Sequence, residues 1–123
     1  MMKEKIFEVK GYQLPKVNGM LASPGSFKLD LRETLKRYVR STLYFEKNQY
    51  AKNFGCFVFG QPDKWKGVLG IEYQEPQGEY INIIIYIEKY RTPEEDVPKI
   101  KKIIQEGLKH LKRRGFIKDY NPL

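Results

Sequence analysis

Lysine and arginine residues are concentrated in two segments of the chain, in numbers that favour binding to a polyanion. Residues 97–114 contain seven Lys or Arg and one acidic residue, and residues 1–48 contain ten against five. Residues 49–92 contain five of each, so the middle of the chain is neutral. Cationic side chains that neutralise phosphates release condensed counterions, which drives much of the binding of proteins to nucleic acids. The net charge of +8 therefore points to an anionic partner.

Both basic segments have the apolar spacing of an amphipathic helix. In the first, the apolar positions are Leu31, Leu35, Tyr38, Val39, Thr42 and Leu43. This spacing predicts a helix over about residues 31–47, with Asp30 and Glu33 in the pattern of a capping box. In the second, the apolar positions are Val97, Ile100, Ile103, Ile104, Leu108 and Leu111. They predict a helix over about residues 97–114 that ends at Gly115, a residue type common after helices.

The sequence predicts a nucleic-acid-binding surface on the outer faces of these helices, with a loop contribution. The predicted helix contacts are Arg37, Arg40, Lys101, Lys102, Lys109, Lys112 and Arg113. The predicted loop contacts are Lys64, Trp65 and Lys66, because an indole can stack on a base while neighbouring lysines meet phosphates. Two alternatives stand beside this interpretation: lysine-rich helix faces are often simply solvated, and a lone tryptophan often packs at the rim of the core.

Strand patterns surround and separate the two helices. Residues 5–10 alternate apolar and polar positions, residues 14–25 are rich in turn formers, and a short strand is predicted at residues 26–29. Three further strands are predicted at residues 54–59, 68–74 and 79–90, joined by short connections that favour antiparallel pairing.

These elements predict an α+β fold, in which an antiparallel sheet of three to five strands carries two amphipathic helices on one face. The predicted order is β-(β)-α-β-β-β-α. We expect a single domain over residues 1–123, with residues 1–29 as an N-terminal strand and loop extension and residues 30–115 as the α-β-β-β-α core.

Alternation along the last predicted strand assigns its residues to two faces. Ile81, Ile83, Ile85 and Ile87 share one face, which we predict to pack under the helices. The other face is mixed, with Tyr80, Ile84 and Tyr86 among polar residues. Such a face is suited to stacking bases, to forming a homodimer, to being covered by residues 1–29, or to plain exposure, since aromatic residues favour strands whatever the function.

Catalytic patterns are weak, so the sequence favours a protein that is not an enzyme, without cofactor or metal. His110 is the only histidine and Cys56 the only cysteine, and no glycine-rich phosphate loop is present. The least favoured alternative is a metal-dependent nuclease with Glu33, Asp63 and Glu72 as ligands. In this pattern a lysine is expected two residues after the last carboxylate, where the chain has Gln74.

The location and partners follow from what the sequence does not contain. The longest apolar run, residues 83–87, is far shorter than the roughly 20 residues that cross a bilayer, and no secretion signal is visible. With one cysteine, a reducing cytoplasmic setting is expected. We predict a small nucleic-acid-binding domain of low sequence specificity that does not bind membranes. The main alternative is a protein-interaction module, a regulator or inhibitor of an acidic partner.

The element order α-β-β-β-α over residues 31–114 is similar to that of double-stranded-RNA-binding domains and of the small Alu-RNA-binding proteins of the signal recognition particle. Residues 60–63 and 99–102 occupy the places of two motifs of the first family, but the histidine of one and the Ala-Lys of the other are absent. Element order alone assigns no function, so the chain is not placed in either family.

Overall fold

Eight strands and two helices make up the described part of the chain. The computed structural model describes residues 3–21, 25–38, 44–45, 57–61 and 64–123. The strands are β1 (Lys3–Gln13), β2 (Lys16–Val17), β3 (Met20–Leu21), β4 (Tyr44–Phe45), β5 (Phe57–Gln61), β6 (Trp65–Tyr73), β7 (Tyr80–Glu88) and β8 (Asp119–Pro122). The helices are α1 (Ser26–Tyr38) and α2 (Val97–Arg113), and two 3-10 helices (Lys89–Arg91 and Glu94–Asp96) precede α2.

Six of the strands form one antiparallel sheet in the order β4-β5-β6-β7-β1-β8. β2 and β3 form a separate hairpin that turns at Asn18 and Gly19, both with positive φ. The predicted α+β class, with an antiparallel sheet and two helices, is confirmed. The predicted strand number and order are wrong, because the sheet has six strands and one of them, β8, follows α2. The four residues of β8 have no alternating apolar pattern, and pairing with β1 is what makes them a strand.

The N-terminal strand is an inner strand of the sheet. β1 pairs with β7 from Lys3 opposite Glu88 to Gln13 opposite Tyr80, and its other edge pairs with β8. The sequence placed residues 1–29 outside the core, yet Phe7 is buried in the core cluster. This position brings the carboxylate of Glu4 next to α2.

The core lies between the sheet and the two helices. The predicted isoleucine face is confirmed, since all four alternating isoleucines of β7 are almost fully buried in the same cluster as the helix residues. α1 contributes Phe27, Leu31 and Leu35, and α2 contributes Ile100, Ile104, Leu108 and Leu111. The helices pack closely at Gly107, where a Cβ atom would lie 2.8 Å from Cδ2 of Leu35.

α1 begins earlier than the sequence predicted. It starts at Ser26, so the predicted strand at residues 26–29 and the capping box at Asp30 are both wrong. Phe27 extends the four-residue apolar spacing of the helix by one turn, and burying its ring outweighs the strand pattern of the short segment. The predicted extension to residue 47 is also wrong, because Tyr44 and Phe45 pair with β5 at the edge of the sheet.

A chain of hydrogen bonds ties the start of α1 to β1. The hydroxyl of Tyr12 donates to a carboxylate oxygen of Asp30 at 2.5 Å. Because that proton is committed, the 2.8 Å contact with Ser26 is one in which the serine hydroxyl donates to Tyr12. Burial and the bond to Asp30 raise the pKa of Tyr12 above its ordinary value, so the phenol stays protonated as the donor.

α2 begins and ends where the sequence predicted. It starts at Val97, with Pro98 in its first turn, where a missing amide proton costs little. Its C-terminal end is a Schellman motif: Gly115 has φ of +81°, its amide donates to the carbonyl of Lys112, and the amide of Phe116 donates to that of Leu111. Ile117, the next residue, is buried against the core.

Candidate nucleic-acid interface

The outer face of α2 presents a row of exposed cationic side chains, which we call the α2 stripe. Its members are Lys99, Lys102, Lys109 and Arg113, all of which are exposed. Helical geometry places them within an arc of about 80°, opposite the buried positions of the helix, over a length of about 21 Å. Within the part of the chain that the structure describes, none of the four forms an ion pair within 4.0 Å. Glu106 lies in the same arc of the helix and is the one acidic residue there.

Two of the predicted helix contacts lie on a flank of α2 and are paired with carboxylates. The ammonium of Lys101 is 2.9 Å from the carboxylate of Glu4, and the ammonium of Lys89 is 3.3 Å from the same carboxylate. The ammonium of Lys112 is 3.0 Å from the carboxylate of Asp119 on β8. These hydrogen bonds hold the pKa values of Glu4 and Asp119 below their ordinary values, so both pairs persist at neutral pH. Lys101 and Lys112 are therefore less available to a ligand than the stripe.

The two arginines predicted on the first helix have different outcomes. Arg37 is exposed in the last turn of α1 and lines a groove together with residues of the segment that follows α2. Arg40 lies outside the described residues.

Trp65 is a core residue, as the alternative of packing against the core expected, and its predicted contact with a base is wrong. Only 4% of Trp65 is exposed, and it belongs to the core cluster. The reason is register: β6 begins at Trp65, which has the same strand parity as Leu69 and therefore points towards the helices. Lys66 has the opposite parity and is exposed on the far side of the sheet, and Lys64 is exposed in the turn before β6. The three residues thus do not form one contact surface with the stripe.

The tyrosines on the outer face of the sheet are engaged by neighbouring side chains. The ammonium of Lys118 lies 3.8 Å from the centroid of the Tyr80 ring, and that of Lys3 lies 5.6 Å from the Tyr86 ring. The hydroxyl of Tyr86 donates to Glu72, which raises the pKa of Tyr86 to about 12. Because lysines occupy these ring faces, base stacking here requires their displacement. A homodimer through this face stays a prediction.

A groove of about 460 Å³ lies beside α1 near the C-terminal end of α2. Asp30, Glu33, Thr34, Lys36 and Arg37 line it from α1. Arg114 and Phe116 line it from the segment after α2, and the guanidinium of Arg114 is 4.8 Å from the centroid of the Phe116 ring. Sequence reasoning missed this groove. The spacing of residues 30, 33, 34 and 37 does put them on one helix side, but no local pattern shows that residues 114 and 116 face them.

The carboxylates of the nuclease alternative do not converge. Glu33 is exposed on α1, whereas Glu72 projects from β6 on the face of the sheet opposite the helices, level with Ile84. Asp63 lies outside the described residues. Among the residues that the structure describes, no group of three or more His, Cys, Asp or Glu side chains is arranged to hold a metal ion.

Comparison of the chain with known protein families, curated protein sequences and solved structures gives no significant match. In the described ranges, neither helix has the length and apolar character needed to cross a membrane. A function must therefore be inferred from the chain's own residues and their arrangement.

Proposed function

We propose that the protein binds the phosphate backbone of nucleic acids through the α2 stripe. The observation that carries this proposal is the alignment of four exposed cations, without ion pairs among the described residues, on the side of α2 opposite the core. A row of about 21 Å matches about six steps of 3.4 Å along one strand of B-form DNA, so several phosphates are within reach at once.

The same geometry supports low sequence specificity. Phosphate contacts fix the position of a ligand but carry no sequence information, which is read from base edges. Trp65 is buried, and Tyr80 and Tyr86 lie on the face of the sheet that points away from the helices, each beside a lysine ammonium. The stripe itself consists of Lys99, Lys102, Lys109 and Arg113, with no aromatic residue among them.

Binding is expected to weaken steeply with salt. Four phosphate contacts give a slope of log K against log salt of about −2.8 for single strands and about −3.6 for duplexes. Raising the salt concentration from 50 to 200 mM should therefore lower the affinity by about 50- to 150-fold. Fluorescence anisotropy with labelled single-stranded and double-stranded DNA and RNA of several sequences measures this slope.

An affinity that changes less than about threefold over this range would reject the phosphate mechanism. Affinities that differ strongly between sequences would reject low specificity. If no nucleic acid binds and one acidic protein is recovered specifically, the stripe serves the alternative function, that of a protein-interaction module.

Removing the two carboxylates that pair with flank lysines should strengthen nucleic-acid binding. The changes Glu4→Gln and Asp119→Asn release Lys101 and Lys112. The asparagine keeps a side-chain oxygen that can accept the amide of Tyr120, as Asp119 does at 2.9 Å. Each released lysine that reaches a phosphate should raise the affinity about five- to eightfold at 0.1 M salt, and the slope by about 0.7 to 0.9.

The matched control removes two carboxylates that form no ion pair with α2 in the described ranges. Glu72 and Glu75 are both exposed, so Glu72→Gln with Glu75→Gln changes the net charge by the same amount. A similar gain in affinity for both double variants would show that net charge alone, and not the α2 surface, sets the affinity. Lowering the pH is a poor substitute for these two substitutions. The pKa values of Glu4 and Asp119 are below their ordinary values, so both ion pairs persist until the pH falls below those lowered pKa values.

A further inference from the structure

The groove beside α1 contains a buried hydroxyl group without a hydrogen-bond partner. Thr34 lines the groove and is 1% exposed. Among the described residues, nothing within hydrogen-bond distance partners its hydroxyl oxygen. Leaving a buried hydroxyl unpaired is unfavourable, and valine would fill nearly the same space without that cost. A ligand that supplies the missing partner would account for threonine at this position.

Three cationic side chains line the same groove as Thr34. Arg37 is exposed and forms no ion pair within 4.0 Å in the described ranges. The stacking of Arg114 on Phe116 restricts its guanidinium to the rim of the groove. The ammonium of Lys36 is 4.0 Å from the carboxylate of Glu33, a distance at which the pair is weak. Two arginines that line one groove suit a phosphate group, which accepts several hydrogen bonds at once.

The two carboxylates of the groove narrow the class of ligand. Asp30 already accepts a hydrogen bond from the hydroxyl of Tyr12, and Glu33 is exposed. Carboxylates accept hydrogen bonds but repel a bare polyanion, so they suit a ligand that also carries donors, such as sugar hydroxyls or base amino groups. The volume of about 460 Å³ is within the range of about 300–1,000 Å³ that small-molecule sites occupy.

We infer that the groove binds a nucleotide with a terminal phosphomonoester, whose phosphate lies between Thr34, Arg37 and Arg114. A phosphomonoester carries about −1.5 to −2 charges at pH 7, whereas each phosphate within a strand carries one, so the cluster of cations favours the terminal group. The nucleotide can be free or can be the end of a nucleic-acid strand. Binding of a strand end rests on the function proposed above, whereas binding of a free nucleotide does not.

Three sets of ligands separate these sources. Calorimetry measures the affinity of the protein for free nucleoside monophosphates and for inorganic phosphate. Fluorescence anisotropy compares its affinity for oligonucleotides that have a 5′-phosphate, a 3′-phosphate or only hydroxyl ends. We expect nucleoside monophosphates to bind at least tenfold more tightly than inorganic phosphate. If strand ends are the ligand, a terminal phosphate should strengthen oligonucleotide binding at least fivefold. A free nucleotide is too short to span the α2 stripe, so its binding reports on the groove alone, whereas a hydroxyl-ended oligonucleotide reports on the stripe.

Absence of nucleoside monophosphate binding up to about 10 mM, together with no effect of a terminal phosphate, would overturn the inference. Inorganic phosphate that binds as tightly as the nucleotides would overturn the nucleotide assignment. Neither result bears on the stripe, which fails separately if hydroxyl-ended oligonucleotides do not bind.

Two variants test the residues. Thr34→Val should leave the melting temperature unchanged or raise it, because it removes an unpaired buried hydroxyl, and should weaken nucleotide binding about tenfold. Arg37→Gln changes an exposed side chain, so the fold is retained, and should weaken binding at least as much. Lys5→Gln, on the opposite face of the sheet, is the control. Nucleotide affinity that is the same in both test variants as in the original chain would contradict the assigned position of the phosphate.

Discussion

Replacing Lys102 and Lys109 with glutamine is expected to lower nucleic-acid affinity about 25- to 60-fold at 0.1 M salt. These two residues lie in the middle of the α2 stripe and are exposed. If each neutralises one phosphate, their loss reduces the slope of log K against log salt by about 1.4 for single strands and about 1.8 for duplexes. The stability of the fold should hardly change, because surface substitutions usually alter the free energy of unfolding by less than about 0.5 kcal/mol.

The control variant carries glutamine at Lys3 and Lys5 of β1. Both residues are exposed, and their pairing with Glu88 and Tyr86 places them on the face of the sheet that points away from the helices. The net charge changes by the same two units in each double variant. We expect the control to keep most of the affinity and the original salt slope. Equal losses in the two variants would mean that the protein attracts nucleic acid through its total charge, and the stripe would then have no special role.

The change Gly107→Leu is expected to destabilise the fold by about 3 kcal/mol, at the upper end of the usual cost of overpacking. An added Cβ at Gly107 would lie 2.8 Å from Cδ2 of Leu35 and 3.2 Å from Cδ1 of Leu31. Both leucines are fully buried, so their side chains have little space into which to move. A glycine inside a helix costs about 1 kcal/mol relative to alanine, and close packing of the two helices offsets that cost.

Urea denaturation measures this effect, with Gln105→Leu as the matched control. Gln105 is exposed on the same helix, so its replacement adds a leucine where there is space. The control should remain within about 0.5 kcal/mol of the original chain. A Gly107→Leu protein as stable as the control would show that the helices do not approach each other closely at this position, and the placement of the stripe opposite the core would need revision.

Regular patterns that depend on neighbouring residues were predictable. The alternating isoleucines of β7 identified the buried face of the strand, because successive side chains of a strand point to opposite sides. Pro98 and Gly115 marked the two ends of α2, because their backbone preferences act locally. The concentration of basic residues on α2 was also visible, since helical spacing alone separates the apolar side from the charged side.

Features that depend on distant residues were not predictable. The sequence left two roles open for Trp65, stacking from a loop or packing at the rim of the core, and the register of β6 is what directs its ring into the core. In the sequence, Lys101 and Lys102 look equally available to a ligand. In the structure, Glu4, which is distant in the chain, pairs with Lys101. The strand β8 has no strand pattern of its own and forms because β1 offers it an open edge.

Local patterns in the chain were enough to predict the α+β class, the buried sides of the strands and helices, and the positive charge of the last helix. These follow from hydrophobic periodicity and from counting charges, which need no knowledge of what lies across the fold. The folded arrangement was needed to show which cations form no ion pair among the described residues, and that Thr34, Arg37 and Arg114 line one groove. It also settled that Trp65 is buried. Ion pairs and grooves depend on distances between residues far apart in the chain, and those distances exist only once the chain has folded.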